Sequence, residues 1–162
     1  MRCRPDRQEA LAGRKEAATA LRQADRAARS GFDDFRKIAR AVFKDDPAAR
    51  TSVGTDGRVP QDREKFLTQA SAAYAAAFGH STYLTALARR GVTRAALEAE
   101  QGKLAALTAA DAAHNTAQAA ARRATSERNA AVRGLDNWWG EFRAVAQVAL
   151  KERPDLLGEL GL

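Results

Sequence analysis

The chain has 162 residues, a length for one domain, and 39 of its 73 apolar residues are alanine against seven valines and one isoleucine. That balance argues against β-architecture and for helix throughout. A single cysteine, Cys3, excludes a disulfide framework or thiolate metal cage within one chain. No run of about 18 apolar residues is present to cross a membrane.

The first helix is expected from Gln8 to Asp46, where Pro47 stops it. Leu21, Ala28, Phe35 and Val42 recur every seven residues, with Asp25, Phe32 and Ala39 as a second row, giving an apolar seam. Residues 47–60 read as one long loop rich in turn residues, including Asp56-Gly57. It lacks the Gly-Lys-Ser/Thr ending of a phosphate-cradling loop, so no nucleotide role is assigned. Pro60 and Asp62 open the next helix, which presents Leu67, Ala70, Tyr74 and Phe78 and pauses at Gly79-His80. A short piece with Tyr83, Leu84 and Leu87 follows and ends at Gly91. Thr93 then caps a helical pattern without proline to about Arg153. Because Thr108 and Asp111 resemble a capping box, a kink or break is expected within residues 108–116. Pro154 stops the helix, and Leu156, Leu157, Leu160 and Leu162 are left to fold back.

Residues 24–54 and 131–161 align without a gap at an offset of 107, with eight identical pairs among 31. Phe35/Phe142, Ala39/Ala146, Lys44/Lys151, Pro47/Pro154 and Gly54/Gly161 are identical, and Phe32/Trp139 and Ile38/Val145 are swaps of like for like. Leu135, Phe142 and Ala149, with Val132, Trp139 and Ala146, therefore reproduce the first seam. The expectation is an all-α, elongated antiparallel bundle of three or four long helices in one domain, residues 1–162. Its repeat units would be 1–54 and 108–162, with connecting helices in 61–107.

The formal charge of +7 is concentrated in the first 50 residues, which carry 13 basic and 8 acidic side chains. Lys15, Arg22, Arg29 and Arg36 stand seven apart on one flank of the first helix, joined by Arg26 and Arg40. Such a row could neutralise phosphates in a salt-dependent way. A solvated flank is the stronger reading. Asp25 and Asp33 stand four residues before Arg29 and Lys37, and no aromatics alternate with the row to stack bases. Trp138 matches Gly31 and lies off the seam centre, a candidate anchor for a protein contact or, equally, a residue that packs against the second helix of the same chain. His114 has Asp111 and Gln118 at helical spacing, but no paired Glu-x-x-His motifs accompany it, so no metal is assigned. His80 and Ser81 are adjacent and point apart on a helix, which makes no nucleophile–base pair.

The run LDNWWGEFRAVAQVALKERPDLLGELGL, with its W-x-x-F…A-L-x-x-x-P-x-L-L-x-x-L-G pattern, resembles the C-terminal segment of a group of uncharacterised bacterial all-helical proteins. Segment 66–107 is similar to the middle of the same group. The resemblance implies a helical bundle and carries over no activity and no site residues.

These readings converge on a non-enzymatic, cytoplasmic interaction or scaffold protein without cofactor. It is expected to self-associate or to bind a helical partner through Trp138, Leu156, Leu157, Leu160 and Leu162. The alternative is a nucleic-acid or polyanion binder using Lys15, Arg22, Arg26, Arg29, Arg36 and Arg40. No membrane role is expected.

Overall fold

A computed structural model describes residues 7–152, 158 and 161; Cys3, Pro154 and the tail leucines 156, 157, 160 and 162 lie outside them. All described elements are helices: α1 (Arg7–Val42), α2 (Pro47–Ser52), α3 (Arg63–Gly79), α4 (Ser81–Ala88) and α5 (Arg94–Ala149). Among them no helix is long and apolar enough to cross a membrane. The chain divides into two units, Lys15–Thr116 on one side and the described parts of Met1–Arg14 with Ala117–Leu162 on the other.

Most helix ends follow from local chemistry. Pro47 does more than end a helix: it occupies the first turn of α2, where a missing N–H costs nothing, and the Asp46 carboxylate caps that turn by accepting from the Ala49 N–H at 2.9 Å. The expected long loop at 47–60 is thus half helix. The first helix correspondingly ends at Val42 and not at Asp46. Gly54, with φ of 66°, closes α2. Its N–H donates to the Thr51 carbonyl and the next N–H, of Thr55, donates to Arg50, the two bonds of a Schellman ending. Gly91 does the same for α4, donating to Ala88 while Val92 donates to Leu87. Asp62 caps α3 and the Thr93 hydroxyl accepts from the Ala96 N–H to open α5.

The expected break at 108–116 is absent, for α5 runs unbroken from Arg94 to Ala149. The Thr108 hydroxyl bonds back to the Leu104 carbonyl four residues earlier, so it is not available to cap a new helix. Asp111, its supposed partner, accepts instead from Arg63 of α3.

Within Lys15–Thr116 the core is aromatic at its centre. Phe32 packs edge-on against Phe66 and Tyr74, each with centroids 5.8 Å apart, and Phe35 meets Tyr74 at 5.1 Å. Leu87, Leu97, Leu104 and Leu107 complete it. The pairings fix the helix directions. From Arg29 beside Phe66, through Phe35 beside Tyr74, to Phe43 beside Tyr83, residue numbers rise together on α1 and on α3–α4. Helices α1 and α3 therefore run parallel, which corrects the expectation of an antiparallel bundle. On α5 the numbers run the other way, with Arg94 over Phe78 and Asp111 at Arg63. A parallel pair demands a return path, and residues 53–61 supply it.

Tyr74 is fully buried, and burial, then the charge of Glu100, raises its phenol well above the ordinary tyrosine value. A raised folded value favours the neutral phenol, so this contribution is complete below pH 10 and declines as pH rises beyond it. Urea-unfolding midpoints are expected to fall above pH 10 more steeply in the parent chain than in Tyr74→Phe. Equal slopes would remove Tyr74 from the explanation.

Candidate interaction surface

The basic flank of α1 is split by the fold. Arg36 is buried: its Nε donates to the Gly54 carbonyl at 3.0 Å, and its Nη2 to Thr55 at 2.9 Å and Gly57 at 2.6 Å. Burial, then the neighbouring charge of Arg40, pulls its pKa below the ordinary arginine value, with Asp33 and Asp56 opposing. Arg40 donates twice to the Thr55 carbonyl, at 2.9 and 2.7 Å. Arg29 donates to the Pro60 and Gln61 carbonyls at 2.7 and 3.0 Å, pairs with Asp25, and lies 4.4 Å over the Phe66 ring. These three side chains hold the returning strap. From residue 40 back to 29 the helix covers roughly 16 Å, and the strap from 54 to 60 spans roughly 20 Å extended, so the lengths match.

Lys15, Arg22 and Arg26 remain exposed. Arg22 reaches Thr19, and Lys37 pairs with Asp34, not with Asp33. The sequence shows turn residues at 54–60 and a row of arginines on the first helix, but not that the carbonyls of the one meet the guanidiniums of the other. Charge spacing alone does not reveal it.

Neither histidine assembles a site. Asp111 is taken by Arg63, leaving His114 half-buried without it, and the His80 ring lies 4.6 Å from that of Tyr83. Among the described residues no group of three or more His, Cys, Asp or Glu side chains could hold a metal ion.

On the distal part of α5 the expectation of a second buried seam is overturned. Every residue from 126 to 145 is exposed, and of the seam only Ala146 is buried. Phe32 is 0% exposed and its counterpart Trp139 is 43%; Phe35 is 3% and Phe142 is 37%; Ala28 is 1% and Leu135 is 62%. The first seam is covered because α3, α4 and the start of α5 bring Phe66, Tyr74, Leu87 and Leu97 onto it. No described residue does the same for the second. Gly31 marks the difference, since a Cβ there would overlap the Glu100 carboxylate of α5. The matching position is Trp138, so the second seam cannot take its cover at the same close approach.

What stands in the open is an organised face. Leu135, Trp138, Trp139, Phe142, Val145 and Ala146 follow spacings of three, four and seven, the wide apolar stripe of a core-facing helix. The Trp138 ring stacks on Phe142 at 5.6 Å, and Trp139 lies 5.5 Å from the same ring. Isolated exposed apolar residues are ordinary, but a contiguous, periodic set of this size is not. No protein-family model matches the chain, and no match is found among curated proteins or solved structures.

Proposed function

We propose that the chain is a non-enzymatic helical interaction or scaffold protein that associates with itself through the open face of α5 and, as the sequence suggests, through its tail leucines 156, 157, 160 and 162. The observation that carries the reading is a core-type stripe, Leu135 to Val145, left in water. Burying such side chains stabilises an assembly by roughly 25 cal/mol per Å². The sequence repeat supports it. Leu150 donates to Ala146 as Phe43 donates to Ala39, and Gly161 donates to Gly158 as Gly54 donates to Thr51, each pair 107 residues apart. On this reading residues 131–161 are a second copy of 24–54, in an elongated bundle whose second seam is completed by another molecule. The second reading, polyanion binding, rests on Lys15, Arg22 and Arg26 alone, because the other three cations hold the strap.

Both tryptophans of the chain, Trp138 and Trp139, lie on the proposed face. Concentrating the protein is expected to raise its light-scattering mass above one chain, to shift tryptophan emission to the blue and to raise Tm. Trp138→Asp with Phe142→Asp is expected to abolish all three. A mass of one chain and unshifted emission from micromolar to millimolar concentration would defeat the proposal.

A further inference from the structure

We infer that the occupant of the α5 face is the same face of one second copy, running antiparallel, with Trp138 of each molecule beside Phe142 of the other. This rests on the self-association proposed above and adds its stoichiometry, direction and register.

The area fits a pair. Taking side-chain areas on the order of 150–250 Å², the exposed fractions of Leu135, Trp138, Trp139, Phe142 and Val145 leave roughly 550 Å² of apolar surface on this face of each chain. A standard two-chain interface buries about 800 Å² per partner, roughly 65% of it apolar in homodimers, so one face against its twin is sufficient.

The register follows from size. Antiparallel helices place each position of the stripe's central row against the flanking row of the mate. Centring the pair at residue 140 sets Leu135 against Val145, Trp138 against Phe142 and Ala131 against Ala149, each twice. Large rings then meet at the middle and small residues at both ends, which lets the axes close without voids. A parallel pair would set Trp138 against Trp138, and would face Arg128 with Arg128, since Arg128 lies one heptad before Leu135 on the stripe. Antiparallel pairing carries Arg128 instead past Ala149 toward Glu152 of the mate; both are exposed. The opposed helix dipoles favour the same direction. One like-charged contact results: Glu141 lies beside its own mate near the two-fold axis.

That contact gives a test whose outcome depends on direction. In the antiparallel pair, Glu141→Gln relieves repulsion and tightens the dimer by about three-fold. In a parallel pair the two Glu141 side chains lie on opposite flanks of the seam, and the same change would not tighten it. Cross-linking supplies a second readout in a Cys3→Ser chain. Mixed Leu135→Cys and Val145→Cys chains, differently tagged, are expected to form the mixed disulfide in several-fold excess over either chain with itself. Both positions are exposed, so neither substitution disturbs the fold. A dimer that links Leu135→Cys to itself, or that Glu141→Gln fails to tighten, overturns the antiparallel pair and leaves self-association standing. A chain that is monomeric throughout overturns both.

Discussion

Arg36→Ala is expected to lower unfolding free energy by about 3–4 kcal/mol, read as a fall in the urea midpoint. The side chain is buried and donates to three carbonyls, those of Gly54, Thr55 and Gly57. Truncation leaves the Gly54 and Gly57 carbonyls without this donor, while Thr55 keeps its bonds from Arg40, and opens space beside Phe32, whose ring lies 5.8 Å from the guanidinium. Relaxation of the strap toward water recovers part of the loss, which is why the full sum of two orphaned carbonyls and a lost buried side chain is not expected. Arg36→Lys should rescue little, because one ammonium cannot reproduce the planar fork that reaches three oxygens. Arg22→Ala, two heptads earlier on the same flank and exposed, is the control and should leave the midpoint unchanged. If the two alanine variants behaved alike, the guanidiniums would not be what holds residues 53–61 against α1.

The second large effect contrasts two matched positions. Phe32→Ala is expected to cost about 3–5 kcal/mol of stability, since a fully buried ring touching Phe35, Phe66 and Tyr74 is lost and a cavity remains. Trp139→Ala, its counterpart 107 residues on, should leave the dilute chain's midpoint nearly unchanged and weaken association by about thirty-fold, the range of an interface anchor. Unfolding at low concentration and light scattering at high concentration separate the two. Comparable destabilisation in dilute solution would mean that Trp139 belongs to a core within the chain after all.

Local grammar made much of the fold legible. The pause at Gly79-His80, the stop after Leu87 at Gly91 and the cap at Thr93 each depend on a few neighbouring residues, and each is where the sequence places it. Phe66 escaped the pattern on α3. Alanines surround its helix so evenly that no periodic stripe singles out the buried side, and Leu67 next to it looked equally suitable. The turn at Pro47 was legible as an interruption but not as a helix start, because proline serves both purposes and only the Asp46 cap decides.

Alanine-rich heptads, capping side chains and left-handed glycines determined by themselves that this chain is helical and where most helices begin and end. They could do so because those preferences act over four to seven residues. The tertiary structure decided which of two similar seams is covered, which arginines face backbone and not solvent, and that α3 runs parallel to α1. Each of these depends on groups 15 to 48 residues apart, such as Arg40 with Thr55 and Arg63 with Asp111. Burial is a property of what arrives on a surface, and two stripes of similar composition remain indistinguishable until the chain has brought Phe66 and Tyr74 onto one of them.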